Sequence, residues 1–177
     1  MKILILFATV EGQTGKIARF VAKQAGDAGH EIVLVDAADK AALVSFKGVD
    51  KTILAAPVHE RRHPRLFELF LAAQREQLEA QSTLLISVSL KAAFPDGLEE
   101  AGEYVTELKM RTGFTPDAEA LVAGAVRTSG YDYFSTQVLR HVVLSGRDHG
   151  PEDGDQEFTD WPALSATISS FLADENA

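Results

Sequence analysis

The sequence predicts an α/β domain with a doubly wound, five-stranded parallel sheet and a long insertion after the fifth strand. Three observations carry this expectation. Short apolar runs alternate with segments of helical period along the chain, as in strands buried on both faces and joined by right-handed crossover helices. The first apolar run ends in a turn rich in Thr and Gly that leads at once into a helical period. Residues 127–158 separate the last strand from the last helix, more than a simple connection needs. A chain of 177 residues suits one domain, 1–177, with one core.

The elements follow in order. Residues 3–7 are continuously apolar and read as a central strand. Ile17, Phe20, Val21, Ala25 and Ala28 then recur at helical spacing, and Gly29 stops that helix. Strands are expected at 32–35 and 52–56, with a weak helix at 41–46 between them. Leu66, Phe67, Phe70 and Leu71 mark a helix starting near Pro64. A fourth strand at 83–90 precedes a helix that follows Asp96-Gly97, runs to Thr112 and stops at Gly113. Residues 118–126 hold the fifth strand. The last helix carries Trp161, Leu164, Ile168, Phe171 and Leu172 on one face, with Asp160 as its N-cap and Pro162 in its first turn. Inside the insertion lie the aromatic stretch Tyr131-Asp132-Tyr133-Phe134, then Phe134, Val138, Leu139, Val142 and Val143 at helical spacing, then a Gly- and Asp-rich run.

Composition excludes several functions. The net charge of -9 argues against nucleic-acid binding and against electrostatic docking on anionic lipid. Without cysteine there is no disulfide, iron–sulfur cluster or thiol redox chemistry. The apolar opening is too short for a signal peptide, and no stretch reaches the length of a membrane span. The expectation is a cytoplasmic protein. The histidines show no HExxH-type spacing, so no metal is expected.

Ligands of an open α/β sheet bind beyond the carboxyl ends of its strands. The first such loop reads Thr9-Val10-Glu11-Gly12-Gln13-Thr14. Hydroxyls at both ends, a glycine between them and a helix N-terminus behind them suit a phosphate cradle of backbone N–H groups. The competing reading is a plain strand–helix turn with Thr14 as N-cap. Neither GxGxxG nor GxxxxGK[ST] is present, which disfavours dinucleotide pyrophosphates and nucleoside triphosphates.

This loop resembles the T-x-x-G-x-T phosphate loop of flavodoxins, and the whole chain resembles the flavodoxin-like, quinone-dependent protoporphyrinogen oxidases of bacteria. The residues that carry the likeness are Leu4-Ile5-Leu6-Phe7, Gly12-Gln13-Thr14 and Ile17-Ala18 at the start, then Ser87-Val88-Ser89-Leu90. Pro116-Asp117 and Ala123-Gly124-Ala125-Val126-Arg127 follow, then Tyr131, Asp132 and Phe134, Ser145-Gly146 and Thr159-Asp160-Trp161. The resemblance implies a flavodoxin-like fold, FMN as cofactor, a porphyrinogen as electron donor and a quinone as acceptor. It implies cofactor contacts from Thr9, Val10, Glu11, Gly12, Gln13 and Thr14, from Pro57, Val58 and His59, and from Ser89, Leu90 and Lys91. That family usually has a glycine where Ala55 stands and often an aromatic residue and a glycine where Glu60 and Arg61 stand, and the insertion here is less basic than the family's.

Other residues leave two readings open. His59, Arg61, Arg62, His63 and Arg65 crowd one loop. They either face the flavin or an anionic substrate, chiefly His59 and Arg61, or belong to a solvated loop. Arg127 either pairs with a substrate carboxylate or anchors the insertion, and Tyr131 either meets a hydrophobic co-substrate or buries the insertion's underside. The stripe in 131–144 fits substrate, the inner face of a membrane as a peripheral contact, or the domain itself. Trp161 reads as core. No residue stands out as a catalytic acid or base. Besides the enzyme, an electron-shuttling flavodoxin, favoured by the acidic surface, and a flavin-free binding module remain as alternatives.

Overall fold

The computed structural model describes residues 1–39, 44–126 and 156–174. Strands β1 (Lys2–Phe7), β2 (Glu31–Asp36), β3 (Lys51–Pro57), β4 (Ser82–Ser89) and β5 (Ala118–Ala123) form one parallel sheet in the order β2-β1-β3-β4-β5. That order reverses direction between β1 and β3, which opens a crevice at the carboxyl ends of those two strands. Helices α1 (Gln13–Asp27), α2 (Arg65–Ala73), α3 (Arg75–Glu79), α4 (Leu98–Thr112) and α5 (Trp161–Ala173) cover the sheet.

Alternate residues of β1 explain the two-sided burial. Ile3, Ile5 and Phe7 pack with Ile17, Val21, Leu164, Ile168 and Phe171, beneath α1 and α5. Leu4 and Leu6 pack with Phe67, Leu71, Leu78, Val105 and Leu108, beneath α2, α3 and α4. Each face thus has its own core, and β1 must be apolar throughout to serve both.

Helix ends follow the residues expected there. Asp160 Oδ1 accepts from the Ala163 N–H at 2.9 Å and caps α5. Gly113 takes φ 69 after α4 and donates its N–H to Lys109 O. Lys51, buried at the start of β3, donates to the carbonyl oxygens of Phe171 and Asp174 at the end of α5.

Two expectations are corrected. The fifth strand does not run to Val126: it ends at Ala123, and after Gly124 the chain forms a second short strand, β6 (Ala125–Val126), antiparallel to β7 (Gln156–Glu157). The Phe158 N–H donates to Gly124 O in the same turn, so the two ends of the insertion are joined at the sheet's carboxyl edge. The weak helix at 41–46 is not helical at 44–46, and residues 41–43 lie outside the described residues. Arg127, Tyr131 and the stripe in 131–144 also lie outside the described residues. Among the described residues no helix is long and apolar enough to cross a membrane, and no cluster of three or more His, Cys, Asp or Glu could hold a metal.

Candidate functional site: a cleft at the carboxyl ends of β1, β3 and β4

A cleft, partly open to solvent, lies where the topology places it. Thr9, Val10, Glu11, Gln13 and Thr14 line one end. Pro57, Val58 and His59 line a second side, and Val88, Ser89, Leu90, Gly124 and Ala125 a third. Gly12 and Lys91, expected at the site, do not line it. Val88, Gly124 and Ala125 were not expected there.

The first loop is shaped by its own backbone. Gly12 has φ 92, a left-handed conformation that favours glycine, and precedes the first helical residue, Gln13. The helix therefore starts before Thr14, which is not its N-cap. The Gly12 N–H donates to Thr9 Oγ1 at 3.0 Å, folding the loop back on itself. The N–H groups of Gln13, Thr14 and Gly15 have no carbonyl one turn earlier in the helix and point out of its positive end. Among the described residues the Thr14 hydroxyl has no hydrogen-bond partner, although the residue is only 2% exposed. This end of the cleft offers the Thr14 hydroxyl and the N–H groups at the head of α1, with the Glu11 carboxylate beside them.

Gln13 has a different task from the one expected. Its amide donates to Glu157 Oε2 at 3.1 Å and to Thr159 Oγ1 at 3.0 Å, and Thr159 donates onward to Ala123 O. Gln13 Oε1 is left buried without a partner. Glu157 also accepts from Lys16 and from Trp161 Nε1, and these hydrogen bonds hold its carboxyl below the usual carboxylate range. The Trp161 ring packs against Phe20 at 4.9 Å, in keeping with a core role. The segment that ends the insertion is thereby fastened to the helix that carries the first loop.

The second loop turns tightly. His59 and Arg62 exchange both backbone hydrogen bonds, and the residues between them, Glu60 and Arg61, have φ 48 and 64. Side-chain-bearing residues rarely hold this conformation. Arg61 does not face the cleft: its guanidinium pairs with Glu100 and, at 3.8 Å, Glu103, and lies over the Tyr104 ring. Arg62 is bidentate on the buried carboxylate of Glu68, which also meets Arg111. His59 remains at the mouth, its Nε2 3.7 Å from Glu11 Oε1 of the first loop.

His63 closes the loop from beneath. It is 1% exposed, its Nε2 lies 3.0 Å from Ser87 Oγ of β4, and its Nδ1 has no partner. Burial lowers its pKa to about 4; Glu68 opposes this and Arg111 adds to it. In the third loop Ser89 Oγ accepts from the Ala92 N–H, and Lys91 Nζ lies 2.6 Å from Glu100 Oε2.

The donor-rich end would hold a phosphate. The walls of Pro57, Val58, Val88 and Leu90 would flank a flat, largely apolar ring. The residues present thus fit a phosphorylated flavin.

Comparisons with known proteins agree with this geometry. The family described as Flavodoxin domain matches residues 4–152. A relative from Escherichia coli K12, named protoporphyrinogen IX dehydrogenase [quinone], is 26% identical over 91% of this chain and 89% of its own. One of the same name from Leishmania major is 24% identical over 97% of this chain and 75% of its own. A solved flavodoxin from Pseudomonas aeruginosa, a cysteine-to-serine mutant, superposes with a TM-score of 0.53 at 20% identity, covering 98% of this chain and 100% of that one. Fold order, cleft position and family match converge: the chain belongs to the flavodoxin-domain family.

Proposed function

We propose that this chain is an FMN-dependent oxidoreductase that takes electrons from a protoporphyrinogen and passes them to a quinone. The observation that carries the reading is the cleft itself, a free hydroxyl and unpaired N–H groups at the head of α1 joined to apolar walls of two further loops. The relatives that bear the dehydrogenase name align over nine-tenths of the chain, which supports the same assignment.

Thr14 holds the phosphate with the N–H groups of Gln13 and Thr14, in a loop that Gly12 and Thr9 shape through their mutual hydrogen bond. Val10 and Glu11 complete the first loop. Pro57, Val58 and His59 on one side, and Ser89 and Leu90 on the other, orient the ring and keep water from its faces. Lys91 supports the third loop through Glu100. Bound FMN supplies the two-electron acceptor; the protein supplies position and polarity. Arg61 acts on the site through α4. Arg127 and Tyr131 meet the porphyrinogen, and 131–144 makes the peripheral membrane contact through which a lipid-soluble quinone arrives.

An anaerobic assay of protoporphyrinogen oxidation with several quinones tests the reading. Oxidation that depends on added quinone and on bound flavin is the expected result. The net charge of -9 favours the competing reading, an electron shuttle that docks on protein partners. A flavin-loaded protein that oxidises no porphyrinogen with any quinone would replace the first reading with the second.

A further inference from the structure

We infer that Glu100 is a positioning residue whose carboxylate, in the first turn of α4, fixes the two loops that flank the ring end of the cleft. The inference rests on the flavin reading of that cleft. Glu100 receives three groups at once. From the third loop comes Lys91 Nζ, 2.6 Å from Oε2. From the second loop comes the Arg61 guanidinium, on Oε1. From α4 itself comes the Tyr104 hydroxyl, 2.6 Å from Oε1, and Tyr104 is buried.

The arrangement answers a problem set by the sequence. The turn at Glu60-Arg61 needs two left-handed residues, and neither is glycine. Such a turn persists only where the surroundings over-determine it. The Arg61 side chain supplies that constraint from outside the turn, through Glu100, Glu103 and the face of Tyr104. Pro57 and Val58 immediately precede the turn and His59 opens it, and all three line the cleft.

The third loop is held to the same helix by backbone as well as charge. A Cβ at Gly97 would overlap the Lys91 carbonyl oxygen, so the start of α4 and the loop touch main chain to main chain. Lys91 follows Ser89 and Leu90, which form the other wall. One carboxylate therefore sets the spacing of both walls.

An isolated exposed ion pair adds little. Here two cations and a buried hydroxyl share one carboxylate, and the Lys91 and Glu100 side chains are each only about a quarter exposed. Hydrogen bonds from Lys91 and Tyr104 hold the Glu100 carboxyl below the usual range, consistent with an anion that accepts from all three.

The test measures dissociation constants of FMN and riboflavin, and melting of the flavin-free protein, for wild type, Glu100→Ala, Arg61→Ala, the double variant of both, and Glu99→Ala. Glu99 is exposed on the same turn and serves as the control for charge alone. Glu100→Ala is expected to raise both constants by the same factor, about tenfold, since the ring end is common to both flavins. Arg61→Ala should raise both in the same direction and be non-additive with Glu100→Ala. Glu99→Ala should leave both within about twofold. Because Arg61 is an exposed side chain, its variant decides the matter if Glu100→Ala lowers the melting temperature. Wild-type binding of both flavins with unchanged constants in the two variants overturns the inference alone, as does a change confined to FMN. A wild-type protein that takes up neither flavin overturns the cleft's reading, and the inference with it.

Discussion

Acid is expected to unfold this protein through His63, and His63→Phe should remove most of that sensitivity. The imidazole is buried among Ser87, Phe67, Glu68 and Arg111, and its pKa is lowered to about 4 against an ordinary value of 6.5. A protonated ring would carry N–H on both nitrogens, and Nδ1 has no acceptor. The folded state therefore keeps the ring neutral, while the unfolded chain protonates it at the ordinary pKa. Between pH 6.5 and about 4 the unfolded state binds more protons, so stability falls as the pH falls through this window. The shift corresponds to roughly 3 kcal/mol at 1.36 kcal/mol per unit, fully present above pH 6.5 and lost near pH 4. Urea titrations at a series of pH values would show it. If the wild type and His63→Phe lose stability in parallel across the window, His63 is not the group responsible.

Thr14→Ala is expected to weaken FMN binding about tenfold or more and to leave riboflavin binding almost unchanged. A hydrogen bond to a charged group is worth roughly 1.5–3 kcal/mol. The Thr14 hydroxyl has no competing partner among the described residues and sits at the positive end of α1. Thr9→Ala should cost less, because Thr9 Oγ1 already accepts from the Gly12 N–H and serves mainly to shape the loop. Riboflavin lacks the phosphate, so the contrast between the two flavins locates the effect. Fluorescence titration of the flavin-free variants measures both. Equal loss for FMN and riboflavin would place the Thr14 effect in the fold rather than at a phosphate.

The parts of the molecule that local sequence determines are legible in it. The first loop is six consecutive residues between a strand and a helix, so hydroxyls, glycine and helix N-terminus can be read together. The central strands β1, β3 and β4 are legible because each is buried on two faces and so is mostly apolar, whereas β2 and β5, at the sheet edges, are only partly buried. The break at Gly124 is not legible. It depends on β6 pairing with β7, some thirty residues away, and the apolar pattern runs through the break unaltered. The fate of Arg61 is hidden for the same reason. In sequence it sits beside His59 and His63 as one of a crowd of cations, while its partners Glu100, Glu103 and Tyr104 lie on a helix some forty residues later. Gln13 reads as part of the phosphate loop; its side chain is instead engaged by Glu157 and Thr159, from the far side of the insertion. The sequence signal for that engagement is Thr159 and Trp161 in the Thr159-Asp160-Trp161 match, which carries a family likeness but no geometry.

The most direct test of the whole account is the flavin content of the protein as purified. Protein kept from light should be yellow, and heating should release FMN, rather than FAD, in near-stoichiometric amount. FAD would not match a cleft whose donor end is built for a single phosphate group with no GxGxxG loop beside it. A colourless protein that takes up no added FMN would contradict the account.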